Sequence, residues 1–163
     1  MLLYCQSYSV QGPAVSYLNQ IDIKYYPQLL AMAQRITAEP DISRLCEIIL
    51  EEACRLTSAD GGTLYLSEGE GSQARLAFAI VKTRSLNITK NKPSEFTPVP
   101  LYVDEQPNHR NIASYAGLTA TLVNIEDAYH TQKFDFSGAQ AFDQQLNYRT
   151  QSVLAAPLLI QQN

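Results

Sequence analysis

The sequence predicts an α+β domain built on one antiparallel sheet. Segments with helical and with strand periodicity are mixed without the βαβ order of a parallel sheet. With 163 residues, of which 45% are hydrophobic and 17% charged, the chain has room for one hydrophobic core and no second one. The longest predicted strand is apolar on both faces, so we expect both faces of the sheet to be covered.

Residues 1–20 show no clear period and are predicted to be a lead segment before a domain that spans residues 21–163. The first helix is expected from Asp22 onward. Its apolar residues recur at intervals of three and four: Tyr26, Leu29, Ala33 and Ile36. A stripe this narrow suits either a helix lying on a sheet or one strand of a helical dimer, and both alternatives stay open.

A second helix follows, because Pro40 ends the first and Asp41 is placed to cap the next. Its apolar stripe is Ile42, Leu45, Ile49, Ala53 and Leu56. A glycine-containing turn then leads to a short strand, Thr63 to Leu66, and to a longer one, Arg75 to Thr83. Simple alternation along the longer strand places Leu76, Phe78 and Ile80 on one face and Ala77, Ala79 and Val81 on the other.

The second half of the chain adds shorter elements. A helix is predicted from Asn111 to Gly117, with Gly117 as its terminator and Asn108 or Asn111 as its cap. A half-buried strand follows, Thr121 to Ile125. A further helix has Ser137 as its N-cap and Asn147 as a left-handed C-cap, and an apolar strand is predicted from Ser152 to Ile160.

Composition excludes several classes of protein. A net charge of −4 argues against nucleic acid as a partner, because phosphate contacts require a basic surface. No apolar run approaches the roughly 18 residues of a membrane span, and residues 1–10 lack the features of a signal peptide. The globular composition without such a run predicts a cytoplasmic protein. The odd set Cys5, Cys46 and Cys54 favours reduced, buried thiols.

Four segments resemble signature segments of the GAF domain: LTSADGGTLYL, NIEDAY, KFDFSG and YRTQSVLAAPL. The resemblance covers about Asp22 to Ile160. It implies a central antiparallel sheet with the N-terminal helices on one face, and with short helices and loops that form a pocket on the other. Asn147 stands where many members have Gly. The family's last strand and final helix are absent, so we expect a domain incomplete at its C-terminus.

The helix predicted at Asn111 offers free backbone N–H groups, with Arg110 beside it, and could bind a small anion. The resemblance implies that the phosphate of a cyclic nucleotide lies at the start of this helix and the base near the preceding strand. Carried onto this chain, the implied ligand-binding residues are Ile112, Ala113, Asn124, Asp127 and Phe134, with Tyr65, Phe78 and Thr150 as pocket walls. Structural roles stay open for Asp127 as the cap of its turn and for Phe134 as core.

The resemblance further implies a regulatory sensory domain of a larger signalling protein. It would bind a small molecule, such as a cyclic nucleotide, and pass a signal through its N-terminal helix and a homodimer interface to an attached phosphohydrolase, nucleotide cyclase or histidine kinase. The family's cyclic-nucleotide signature belongs to the absent last strand and helix, so the ligand is not specified. The alternative is a dimerisation or interaction module without a ligand.

No catalytic residue, metal or cofactor is predicted. Asp127 and His130 are close in sequence, but no nucleophile turn accompanies them. A GAF-type methionine sulfoxide reductase would need cysteines after Cys54, and a bilin-binding member would need a Cys-His attachment segment that is missing. His109 or His130 could ligate haem, but a lone His more often sits in a polar turn.

Overall fold

The computed structural model of the chain describes residues 2–5, 26–91 and 95–159. Within these residues four α-helices accompany antiparallel strands, which confirms the predicted α+β class. The helices are α1 (Tyr26–Ala38), α2 (Ile42–Thr57), α3 (Ile112–Thr119) and α4 (Ser137–Leu146). The strands are β1 (Leu2–Cys5), β2 (Gly61–Glu68), β3 (Arg75–Thr83), β4 (Ile88–Lys90), β5 (Val99–Pro100), β6 (Tyr102–Val103), β7 (Gln106–Pro107), β8 (Val123–Ile125) and β9 (Ser152–Ala155).

One sheet organises the domain, in the order β4-β3-β2-β1-β9-β8, with β5 paired to β3. Strand β1 pairs antiparallel with β2 on one side and β9 on the other, so that Leu3 lies opposite Gly62 and Leu154. It lies within residues 1–20, where the sequence predicts no element. The rest of that lead segment and the expected helix start at Asp22 lie outside the described residues. The predicted strand from Ser152 to Ile160 is too long, because β9 ends at Ala155, before Pro157, and residues 156–159 are not in a strand.

The sheet separates two hydrophobic clusters. Helix α2 packs on β2 and β3, and α1 packs on α2, so both N-terminal helices lie on one face. The cluster on that face is Cys46, Leu50, Cys54, Ala59, Leu64 and Ile80. The cluster on the other face is Leu76, Leu101, Ile112, Ala113, Ala116, Val123, Ala128, Phe134, Phe136, Val153 and Ala155. No helix within the described ranges is long and apolar enough to cross a membrane.

A β-bulge in β3 changes which side chains share a face. The pairing runs from Leu64 opposite Ile80 to Tyr65 opposite Phe78, so Ala79 has no partner in the register. One extra residue reverses the alternation of side chains beyond it. Ile80 therefore packs in the cluster beneath the helices, whereas Phe78 faces the other layer. The prediction that Phe78 and Ile80 share a face is wrong for this reason.

Local interactions determine where α2 begins and where α3 begins and ends. Asp41 caps α2 as predicted, since its Oδ1 accepts from the N–H of Arg44 at 2.8 Å. Asn111 caps α3, and its Oδ1 accepts from the N–H groups of Ala113 and Ser114 at 2.9 and 3.1 Å. Gly117 is not the terminator of α3, because the helix continues to Thr119 and ends at Ala120 in the left-handed conformation.

The predicted C-cap of α4 is confirmed, whereas its predicted N-cap is wrong. Asn147 adopts the left-handed conformation expected of a C-cap, with φ of 49°. At the other end Phe136 occupies the cap position and Ser137 is the first helical residue. The reason is that Asp135 Oδ1 accepts from the N–H of Ser137 at 2.9 Å, which turns the chain before Ser137.

Two glycines that face different surroundings test this packing. A Cβ at Gly61 would lie 2.3 Å from the carbonyl oxygen of Lys82, and one at Gly117 would meet nothing within 4 Å. We predict that Gly61→Ala lowers the free energy of unfolding by about 1–3 kcal/mol, because backbone atoms of β3 must move. Gly117→Ala should raise it by about 0.5–1 kcal/mol. Urea denaturation measures both, and equal effects of the two substitutions would contradict this packing.

Candidate functional site

A cavity of about 510 Å³ lies between the sheet and the segments that carry the starts of α3 and α4. A volume of this size is typical of small-molecule sites. Its lining from the sheet and the following connection is Thr63, Tyr65, Phe78, Val81, Thr83, Phe96 and Val99. The remaining lining is Asn108, Arg110, Asn111, Ile112, Asp135, Phe136, Ser137, Gly138, Ala139, Phe142, Tyr148 and Thr150.

Aromatic rings form one wall of the cavity. The ring centroids of Tyr65 and Phe78 are 4.7 Å apart, with their planes tilted by 57°. Phe96 stacks on Phe78 at the same centroid distance, with an interplanar angle of 20°. The bulge in β3 makes this wall possible, because it turns Phe78 toward Tyr65. Such a wall can bind a flat ring by stacking and by burial of apolar area.

The starts of α3 and α4 both line the cavity, and they differ in the room that they leave beside their backbone N–H groups. At the start of α3 the N–H groups of Ala113 and Ser114 are already bonded to Asn111. At the start of α4 the N–H of Ser137 is bonded to Asp135, the cap residue Phe136 adds no side-chain bond, and Gly138 has open space where a Cβ would stand. The start of α4 therefore offers more room beside its backbone N–H groups than the start of α3 does.

Asp135 and Arg110 place opposite charges on this wall. Hydrogen bonds from the side chain and then the backbone of Ser137 lower the pKa of Asp135, and the charge of Arg110 lowers it further. The backbone also joins the two residues, because the N–H of Asp135 donates to the carbonyl of Arg110 at 2.8 Å. The cavity thus contains an anionic and a cationic side chain near its aromatic rings.

A buried carboxylate fixes the wall formed by α4. Asp143 is 1% exposed, and among the residues of α4, all of which the structure describes, it alone is buried. Its Oδ2 accepts from the N–H of Thr150 at 2.6 Å and from the hydroxyl of Tyr129 at 2.9 Å. Its Oδ1 accepts from the hydroxyl of Thr150 at 3.0 Å. These bonds hold α4 against the segment before β9 that carries Thr150 into the cavity wall.

Four of the eight residues predicted from the sequence lie around this cavity: Tyr65, Phe78, Ile112 and Thr150. The other four lie elsewhere. Ala113 is buried and lines a second cavity of about 220 Å³ between α3 and residues 156–159. Asn124 is exposed on β8, and Phe134 is in the core, 5.4 Å from the ring of Tyr115. Roles in ligand binding remain predictions for all eight.

Asp127, the last of these residues, stabilises its own turn. Its carboxylate accepts from the N–H of Tyr129 at 2.8 Å, lies 2.8 Å from Nδ1 of His130 and accepts from Arg149 at 3.0 Å. The hydrogen bond with His130 is the main cause of a lowered pKa for Asp127, followed by the N–H of Tyr129. This is the structural role that sequence reasoning left open for Asp127.

Sequence reasoning missed several cavity residues. Thr63 could have been found, because it lies two positions before Tyr65 on the same strand face. Thr83 could not be related to Phe78 by alternation, because the bulge lies between them. Tyr148 follows the helix end at Asn147, and only the tertiary fold brings its ring to the cavity.

Comparisons with known proteins agree with this fold. The family model described as GAF domain matches residues 41–163. The chain is 26% identical over 134 residues to the cGMP-specific 3',5'-cyclic phosphodiesterase of Drosophila mojavensis, a match that covers 79% of the chain and 11% of that protein. The phosphodiesterase of the same name from Drosophila melanogaster is 24% identical over 129 residues, again with 79% of the chain and 11% of the relative covered.

The chain therefore spans about a tenth of the length of the curated relatives it matches. Because the family match extends over most of the chain and includes every element from α2 to β9, the chain belongs to the GAF domain family, a family of regulatory domains that bind small molecules.

Proposed function

We propose that this chain is a sensory domain of a larger signalling protein, and that it binds a nucleotide, preferably a cyclic one, in the 510 Å³ cavity. The observation that carries the proposal is the meeting of stacked aromatic rings with opposite charges in one cavity. A nucleotide combines a flat base, which the rings of Tyr65, Phe78 and Phe96 would contact, with an anionic phosphate.

The charged and polar groups at the starts of α3 and α4 can contact the phosphate and the ribose of such a ligand. Arg110 can form a charge-assisted hydrogen bond with a phosphate oxygen, and the N–H groups at Gly138 and Ala139 add the positive end of the α4 dipole. Asp135 would repel a phosphate that came too close, but its carboxylate can accept from a ribose hydroxyl or a base N–H. The two relatives named above are cGMP-specific phosphodiesterases, which favours cyclic GMP as the first ligand to test.

We propose that the output element is α1. None of the residues of α1, all within the described range, is buried, although Leu29, Met32 and Ile36 are half-buried against α2. Glu52 on α2 accepts hydrogen bonds from Arg35 of α1 and from Arg55, and so connects the two helices. An attached phosphohydrolase, nucleotide cyclase or histidine kinase would receive the signal from this helix.

We also propose a cytoplasmic location. Cys46 and Cys54 are buried free thiols, which is typical of a reducing compartment. Burial raises the pKa of Cys54 to about 11, so this thiol is protonated and unreactive at neutral pH.

Thermal unfolding in the presence of nucleotides tests ligand binding. Cyclic GMP at one hundred times its dissociation constant should stabilise the protein by about 2.7 kcal/mol, which raises the unfolding midpoint. Arg110→Gln should weaken binding at least tenfold, because a charged hydrogen bond contributes about 1.5–3 kcal/mol. The matched control is Arg44→Gln, since Arg44 pairs with Glu47 on the outer side of α2.

Cyclic AMP, GMP and ATP are measured in parallel to define selectivity. The same midpoint with and without every nucleotide at millimolar concentration would refute nucleotide binding. Equal shifts in Arg110→Gln and Arg44→Gln would refute the place of the phosphate.

Removal of the hydrogen bond from the Ser137 side chain should change the pKa of Asp135. Because folding lowers its pKa, the ionised carboxylate stabilises the fold above the ordinary Asp pKa of about 3.9, and this contribution is lost as pH falls through the lower folded value. We predict that Ser137→Ala raises the pKa of Asp135 toward the ordinary value. Titration of the carboxyl carbon by NMR measures this, with Ser67→Ala as control. An unchanged pKa in Ser137→Ala would contradict the assigned cause.

A second candidate function is dimerisation, with or without a ligand. On α1 the side chains of Tyr26 and Leu30 are 58% and 62% exposed, four residues apart on one face. Ala33 and Thr37 continue this face, which lies about 100° around the helix from the half-buried stripe that contacts α2. Such a stripe matches the seam of a two-helix dimer.

Sedimentation equilibrium tests this candidate. We predict that the protein dimerises and that Leu30→Glu weakens the dimer at least tenfold, because the substitution places two like charges in an apolar seam. Ala31→Glu adds the same charge on another face of α1 and should leave the dimer intact. A monomer at all concentrations, or equal weakening by both substitutions, would rule out this interface.

A further inference from the structure

Tyr148 connects the cavity wall to the opposite layer of the domain. Its side chain is buried and lines the cavity, directly after the left-handed residue Asn147 that ends α4. Its hydroxyl donates a hydrogen bond of 3.0 Å to Oδ2 of Asp60. Asp60 lies 88 positions earlier, in the turn that joins α2 to β2. One side chain therefore extends from the cavity to the connection with the helical layer.

Other donors hold Asp60 in place. Its Oδ1 accepts from the N–H of Ser85 at 3.1 Å, and its Oδ2 also accepts from the hydroxyl of Ser85 at 2.6 Å. Its backbone carbonyl accepts from the N–H of Arg84 at 2.8 Å. If Tyr148 moves away, Asp60 keeps both bonds from Ser85, and no carboxylate is left unpaired. Loss of the bond to Tyr148 therefore loosens the turn, while the bonds from Ser85 keep it folded.

The turn is continuous with both N-terminal helices. The N–H of Ala59 donates to a carbonyl in the last turn of α2 at 2.9 Å. In that same turn Arg55 donates to Gln28 of α1 at 3.2 Å and to Glu52 at 2.8 Å. Glu52 in turn accepts from Arg35 of α1. A displacement of the turn therefore reaches α1 through polar contacts as well as through the backbone of α2.

We propose that the Tyr148–Asp60 hydrogen bond is the regulatory contact through which occupancy of the cavity changes the end of α2 and its contacts with α1. A ligand that contacts the ring of Tyr148 alters the geometry of this bond, and the turn around Asp60 responds. The proposal rests on the proposed function, because it needs a ligand in the cavity. Tyr148 and Asp60 act here as positioning residues that couple two layers.

Amide hydrogen exchange of the ligand-free protein gives the first test. Tyr148→Phe keeps the ring and removes the hydroxyl that bonds to Asp60. We expect exchange of the Ser58 and Ala59 amides to rise about fivefold, the effect of losing a hydrogen bond of about 1 kcal/mol. The matched control is Tyr129→Phe, because it removes a hydroxyl bonded to Asp143 on the cavity side at a similar distance, 2.9 Å.

Comparison of the exchange rates in Tyr148→Phe and Tyr129→Phe either supports the coupling or overturns it. Faster exchange at Ser58 and Ala59 in Tyr148→Phe, but not in Tyr129→Phe, supports the coupling. Unchanged exchange in Tyr148→Phe, or the same change in both variants, overturns it, because the second result would reflect general destabilisation.

Exchange at saturating cyclic GMP gives the second test. Binding should change the exchange of the Ser58 and Ala59 amides and of the α1 amides at least threefold in the wild-type protein, and this change should disappear in Tyr148→Phe. Persistence of the change in Tyr148→Phe, or binding without any change in the wild-type protein, overturns the proposal. Absence of cyclic GMP binding refutes that ligand alone, and the ligand-free test then decides the coupling.

Discussion

The bulge in β3 is the constraint on which the cavity depends. A sheet with helices on one face and a cavity on the other must send successive side chains to alternate layers, and an extra residue reverses that assignment. Here Ala79 is the extra residue, so Ile80 enters the helical cluster while Phe78 joins Tyr65 in the cavity wall. A regular strand would place Phe78 and Ile80 on the same face and remove either a core residue or the aromatic wall.

Polar contacts rather than a large apolar interface hold the wall of the cavity that α4 forms. Helix α4 buries only Asp143 among its residues, all of which are described, and Phe142 and Leu146 are each 37% exposed. The bonds from Asp143 to Thr150 and Tyr129 therefore determine where this wall stands. Because such bonds are directional, they hold the wall in one position more strictly than a small apolar contact would.

The sequence predicts those features that depend on neighbouring residues. The caps at Asp41, Asn111 and Asn147 are local chemistry, and the structure has each of them. Features that join distant segments are not visible in the sequence. The bulge in β3 is defined by its pairing with β2, and the place of β1 between β2 and β9 is set by hydrogen bonds to segments far along the chain.

Some residues of the candidate site were predicted from the sequence, and others are revealed only by the fold. Tyr65, Phe78, Ile112 and Thr150, which the family resemblance implied as ligand-binding residues, lie at the cavity. Asp127 and Phe134 occupy the structural roles that the sequence also allowed, and Tyr148 reaches the cavity only through the end of α4.

The central claim is that the aromatic wall of this cavity binds the base of a nucleotide. The most direct measurement is an NMR experiment that detects nuclear Overhauser effects between cyclic GMP and the protein. The account predicts effects between the base proton of cyclic GMP and the ring protons of Phe78 and Phe96. Bound cyclic GMP whose base contacts only other surfaces, such as α1, would contradict it.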